Sequence, residues 1–158
     1  MSTLIIHPKD PSTDFLKPIY APIKNKSIIT DGVIKIELRK LIEIENHERI
    51  IMLGHGSPYG LLSVGQFPNA GSYIIDETNV TLLSQKKDNI FIWCNADQFV
   101  ERNGLNGFFS GMFISELEEV FYYDFWDFEK NTIGESNENF SKTVSRYINE
   151  PLDILFKM

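Results

Sequence analysis

Two short apolar segments, each ending on a reactive side chain, constrain this chain most. Residues 49–56 read Arg-Ile-Ile-Met-Leu-Gly-His-Gly, and residues 89–94 read Asn-Ile-Phe-Ile-Trp-Cys. Each segment is long enough for one buried strand and too short for a helix of usual length. If the strands are parallel neighbours, His55 and Cys94 lie at the same carboxyl edge of the sheet, where open α/β sheets bind their ligands. A thiol beside an imidazole is the minimal apparatus for nucleophilic acyl transfer.

Size and composition restrict the class of protein. The 158 residues are expected to form one domain, 1–158, with a substantial core. The net charge of 15 − 22 = −7 argues against non-specific nucleic-acid binding, and the single cysteine excludes an internal disulfide. No apolar run approaches the ~20 residues that span a membrane, and the N-terminus lacks the basic region of a signal peptide. We therefore expect a cytoplasmic protein, and a bacterial cytoplasm fits best.

The order of the predicted elements indicates the fold class. Strands are expected at 3–6, 27–30, 49–54, 61–64, 72–75, 89–93 and 108–114, and helices at 34–42, 79–87, from about 116, and around 140–148. The polar segments 7–14 and 95–107 are predicted to be loops. This order predicts an α/β fold with a mostly parallel sheet and helices on both faces.

The proposed chemistry assigns one role to each residue at the two strand ends. Cys94 must become a thiolate to attack, and at neutral pH only a few per cent of an ordinary thiol is ionised. His55 is placed to take that proton and to return it to a leaving amine. The backbone N–H groups of Gly56 and Cys94 are candidates for holding the developing oxyanion.

Four other polar residues are candidates for substrate contact at the same edge. His7 and Asp10 follow the first strand, although His-Pro and Asp-Pro also form ordinary turns. Asp97, just past Cys94, is either a partner for a basic substrate side chain or a solvated loop acid. Ser110 lies in the fifth strand, where a substrate backbone approaches or a bulge occurs. The 61–75 hairpin leaves strand three beside the histidine and is a candidate lid.

The pattern resembles the caspase-like cysteine peptidases, the group that includes caspases, legumain, clostripain and gingipain. In that group one apolar strand ends in His-Gly and a later one ends in the nucleophilic Cys, and here the separation is 94 − 55 = 39 residues. The resemblance implies His55 as base, Cys94 as nucleophile, and Gly56 with Cys94 as oxyanion donors. It also implies a three-layer sandwich with strand order 2-1-3-4-5, a peptide or protein substrate, and no cofactor.

Two further hypotheses fit the same residues. Trp93, the small size and the acidic composition are compatible with a catalytically silent binding or regulatory module on the same scaffold. A metal ion held by His7, His55 and Cys94, with Asp10, is the other alternative, because mixed nitrogen, oxygen and sulfur ligands suit zinc. The sequence does not indicate an oligomeric state.

Overall fold

The computed structural model describes residues 2–30, 42, 47–64, 72–111 and 130–157, with the backbone alone at 130–134. Its strands are β1 (Thr3–Ile6), β2 (Lys26–Ile29), β3 (Arg49–Leu53), β4 (Gly56–Ser57), β5 (Gly60–Leu62), β6 (Tyr73–Ile75), β7 (Ile90–Ile92) and β8 (Phe108–Phe109). Five of them form one sheet in the order β2-β1-β3-β7-β8, and every neighbouring pair in it is parallel. The fold is therefore α/β around a parallel sheet.

The helices are mostly short. They are a 3-10 helix (Pro11–Leu16), α1 (Lys17–Tyr20), a second 3-10 helix (Glu77–Asn79), α2 (Val80–Leu83), α3 (Ala96–Arg102), α4 (Lys130–Tyr147) and α5 (Leu152–Leu155). None of the helices among the described residues is both long and apolar enough to cross a membrane.

Two predicted loops were wrong. The segment after β1 is helical from Pro11 onward, and α3 occupies most of the predicted loop 95–107. The predicted strand at 108–114 extends only over Phe108–Phe109 within the described residues. Most of the predicted helix 34–42, and all of the one expected from about 116, lie outside the described residues.

Side chains from the sheet enter two separate apolar clusters. Along β1, Ile6 joins a cluster that contains Phe99 of α3, whereas Ile5 joins a cluster that contains Val144 of α4. Because successive side chains of a strand point to opposite faces, the two clusters lie on the two faces of the sheet. Helices therefore cover both faces, an arrangement compatible with a three-layer sandwich.

A small antiparallel sheet, β4-β5-β6, leaves the main sheet directly after His55. In it Gly56 pairs with Leu61, and Leu61 pairs with Ile75. The hairpin predicted over 61–75 is present, with an additional strand, β4, in front of it. The backbone beside His55 is thus built into a sheet and is not part of a free loop.

Candidate active site

His55 and Cys94 leave the main sheet at the same edge. The parallel register pairs Leu53 of β3 with Ile92 of β7, and the Gly54 N–H donates to the Ile92 carbonyl over 3.0 Å. Each of the two reactive residues lies two positions beyond that pair. Both side chains are almost closed to solvent, His55 at 8% exposure and Cys94 at 7%.

The imidazole of His55 is held by a carboxylate and a hydroxyl from the segment after β1. His55 Nε2 is 2.6 Å from Ser12 Oγ, and Ser12 Oγ donates to Asp10 Oδ1 over 2.9 Å. The other carboxylate oxygen, Asp10 Oδ2, lies 3.5 Å from the same ring nitrogen. Asp10 is only 5% exposed. The structure therefore brings Asp10 to His55 and adds Ser12, which the sequence analysis did not include.

The local sequence explains why Ser12 is placed there. Asp10 is the N-cap of the first 3-10 helix, and its Oδ1 accepts the Ser12 N–H over 3.0 Å. Pro11 occupies the first turn, where its missing N–H costs no hydrogen bond. Upstream, the Lys9 N–H donates to the carbonyl of Thr30 and fixes the start of the segment. An Asp cap followed by Pro is a recognised helix start, so this signal was available in the sequence.

His7 has a different environment from His55. Its Nδ1 lies 3.0 Å from the Tyr20 hydroxyl, and its Nε2 lies 3.1 Å from Thr13 Oγ1. Thr13 Oγ1 in turn donates to the backbone carbonyl of Asp10. Desolvation by burial lowers the pKa of His7 to about 4, so the ring is neutral at neutral pH. With both ring nitrogens occupied, His7 holds the 10–13 segment in place and presents no free nitrogen to a substrate.

Trp93 and Gly56 fit against each other beside the site. A Cβ at Gly56 would lie 2.2 Å from Trp93 Cδ1 and 2.5 Å from the Gly60 carbonyl oxygen, so only glycine fits at this position. The fully buried indole donates from Nε1 to the Ser57 carbonyl over 2.9 Å. The large residue before Cys94 therefore packs under β4 and fixes the backbone that follows His55.

The turn at Cys94 is held by backbone and hydroxyl contacts. Asn95 adopts a left-handed conformation, φ 66°, which Asn tolerates better than most residues. The Asp97 N–H donates to the Ser110 carbonyl, and Ser110 Oγ donates to the Trp93 carbonyl over 2.9 Å. Ser110 thus caps the end of β7. Asp97 lies in the first turn of α3, and its Oδ1 is buried without a hydrogen bond in the part of the chain that the structure describes.

The contacts do not support the metal hypothesis. Among the residues that the structure describes, no three His, Cys, Asp or Glu side chains are grouped to hold a metal ion. His7, one of the proposed ligands, uses both ring nitrogens in hydrogen bonds to hydroxyl groups.

Comparison with known proteins does not assign the chain to a family. None of the family models, curated proteins and solved structures compared with the chain matches it. The chemistry of the site is therefore inferred from its residues and their positions alone.

Proposed function

We propose that this protein is a cysteine hydrolase, most directly an endopeptidase, with Cys94 as nucleophile and His55 as general base. One observation carries the proposal: parallel β3 and β7 end in register, so the only thiol and a held imidazole lie at one edge of the sheet. A cysteine nucleophile requires a neighbouring base because so little of an ordinary thiol is ionised at neutral pH.

The proposed reaction has two halves. The Cys94 thiol gives its proton to His55, and the sulfur attacks the carbonyl carbon of a peptide bond. The C–N bond then breaks, and His55 protonates the departing amine. In the second half His55 takes a proton from water, and the hydroxide attacks the carbonyl carbon of the thioester. The C–S bond breaks, the carboxylic acid product leaves, and His55 returns its proton to the Cys94 sulfur. The N–H groups of Gly56 and Cys94 are assigned to the oxyanion in both halves.

The topology supports a caspase-like assignment as part of this proposal. Among the described residues the main sheet has the order β2-β1-β3-β7-β8, which is compatible with the order 2-1-3-4-5 that the resemblance implies. Strand three is followed by His55-Gly56 and strand four by Trp93-Cys94. The substrate would be a peptide or protein in the cytoplasm. Asp97, three residues after the nucleophile, is the acid we assign to a cationic substrate side chain.

A specific observation favours a second candidate, a catalytically silent binding or regulatory module. Cys94 and His55 are both more than nine-tenths buried, so a substrate reaches them only if neighbouring groups move. A buried free cysteine also behaves as a small hydrophobic side chain when no base acts on it. In this case the buried side chains of His55 and Cys94 would stabilise the fold and would not catalyse a reaction.

A peptide library and a thiol-directed activity probe distinguish the two candidates. We expect the wild type to be labelled and to cleave peptides, Cys94→Ala to lose both activities, and His55→Ala to lose about 10²–10⁴-fold in rate. His47→Gln is the matched control, because His47 precedes the same strand at its opposite end. Cleavage that survives in Cys94→Ala, or a wild type that is neither labelled nor active, would contradict the hydrolase and favour the binding module.

A further inference from the structure

The hydroxyl of Ser12 has one proton and two charged or polar neighbours. It lies 2.9 Å from Asp10 Oδ1 and 2.6 Å from His55 Nε2. An ionised carboxylate only accepts hydrogen bonds, so the contact to Asp10 requires the Ser12 proton. With that proton committed, Ser12 Oγ is an acceptor toward the ring, and the short contact to His55 requires a proton on Nε2.

We propose that Ser12 and Asp10 are positioning residues that fix His55 with its proton on Nε2, so that Nδ1 is the nitrogen that takes the Cys94 proton. The assignment of the tautomer rests on the contacts of His55 Nε2 with Ser12 and Asp10. The role of Nδ1 toward Cys94 rests on the hydrolase proposed above.

The second carboxylate oxygen leads to the same tautomer. Asp10 Oδ2 is buried, makes no hydrogen bond among the described residues, and lies 3.5 Å from His55 Nε2. A lone pair on Nε2 would face this negative oxygen in a poorly solvated place, whereas an N–H group there is attracted to it. The carboxylate also stabilises the imidazolium that forms once the ring accepts a second proton at Nδ1. The Nε2 proton stays in place throughout the reaction.

The reverse arrangement is less favourable. If Ser12 donated to His55, no proton would lie between Ser12 Oγ and Asp10 Oδ1 over 2.9 Å, and two sets of lone pairs would repel. The next residue shows the same polarity: Thr13 Oγ1 donates to a carbonyl and therefore accepts from Nε2 of His7. Two consecutive hydroxyls thus direct the tautomers of two histidines.

Nitrogen NMR on histidine-labelled protein tests the tautomer without any substrate. Correlations between ring protons and ring nitrogens distinguish a protonated nitrogen from a bare one, and the His55→Gln spectrum assigns the His55 signals. We expect the neutral His55 ring of the wild type to carry its proton on Nε2. Asp10→Asn keeps the helix cap, because Asn caps as well as Asp. It places an amide N–H2 toward Nε2, so we expect the proton to move to Nδ1.

Kinetics on the same variants give the second readout. We expect Asp10→Asn to lower kcat by about 10²–10⁴-fold while KM stays within a few-fold, since the base nitrogen is blocked but the binding surface is kept. Ser12→Ala should lose less, because Asp10 Oδ2 still faces the ring, and Ser12→Thr should restore the rate by returning the hydroxyl.

Two outcomes would overturn the proposal. One is a wild-type His55 with its proton on Nδ1. The other is an Asp10→Asn variant that keeps both the wild-type tautomer and the wild-type rate. If the wild type shows the Nε2 tautomer and Asp10→Asn shifts it, yet no hydrolysis depends on Cys94, the positioning holds and the proposed function fails. The NMR measurement therefore tests the positioning of His55, and the activity assay separately tests the proposed function.

Discussion

Two histidines lie at the carboxyl edge of the same sheet, and residues of one 3-10 helix, Pro11–Leu16, contact both of them. His7, after β1, has its two ring nitrogens on the neutral hydroxyls of Tyr20 and Thr13. His55, after β3, has Nε2 on Ser12 with a carboxylate oxygen 3.5 Å away. Burial lowers the pKa of His7 by desolvation and leaves its ring uncharged between two neutral hydroxyls, whereas His55 has a carboxylate beside its ring. The edge position of a histidine does not by itself assign its role.

The largest expected effect concerns the pH dependence contributed by His7. The pKa of His7 is about 4 in the folded protein, whereas an ordinary histidine, as in the unfolded chain, has a pKa of 6.5. The unfolded chain therefore binds the proton more tightly. Stability contributed by the neutral ring is therefore present above pH 6.5 and is lost as the pH falls toward 4. With each pKa unit worth about 1.4 kcal/mol, the loss reaches about 3 kcal/mol.

Urea unfolding across that pH range measures this contribution. The His7→Gln variant should show a free energy of unfolding that falls less steeply with acidification than that of the wild type. Parallel curves for the two proteins would mean that His7 is not buried as a neutral ring, and the contrast with His55 would be lost.

The next prediction tests the packing of Trp93 against Gly56, which fixes the backbone that follows His55. Gly56→Ala introduces a Cβ 2.2 Å from the Trp93 ring, and we expect a loss of about 1–3 kcal/mol in the free energy of unfolding. Gly111→Ala is the matched control, because no atom of the residues that the structure describes lies within 4 Å of a Cβ there. Thermal or urea unfolding measures both variants. Equal stabilities for the two would show that Trp93 does not pack under β4 as described.

The smallest expected effect distinguishes the neighbouring residues Thr13 and Ser12, the first by the stability of the protein and the second by the reactivity of Cys94. Thr13→Val keeps the side-chain shape and removes the hydroxyl that links His7 to the Asp10 carbonyl, so we expect it to lose about 1–2 kcal/mol in stability. Ser12→Ala should cost less stability, because Ser12 is only partly buried, and more of any Cys94-dependent rate. Unfolding curves and probe labelling of both variants provide the comparison. A Thr13→Val variant that loses rate at unchanged stability would reverse the two roles.

The sequence predicted the elements that form the reactive edge. Residues 49–54 and 89–93 were predicted as strands from continuous apolar runs, and β3 and β7 lie within those limits. Such runs are informative because a strand covered on both faces has no polar positions to obscure the pattern. The placement of His55 and Cys94 just past the ends of these strands followed directly from their positions in the sequence.

The missed parts are short elements whose stability depends on tertiary contacts. Helix α3 has one apolar turn, Ala96, Phe99 and Val100, whose spacing is too brief to outweigh the neighbouring Asn, Asp and Gly residues. Ser12 was missed for a similar reason, because a six-residue 3-10 helix leaves almost no periodic signal. Its contact with His55 joins residues 43 positions apart, which no local pattern predicts.

The most direct test of an activated Cys94 is its alkylation rate at neutral pH with a small reagent, relative to the rate in urea-unfolded protein. We expect the wild type to react about tenfold or more faster than His55→Ala, because the base increases the thiolate fraction. His47→Gln, at the opposite end of β3, should react like the wild type. A slow thiol with the same rate in wild type and His55→Ala would contradict the dyad and leave Cys94 as a buried structural residue.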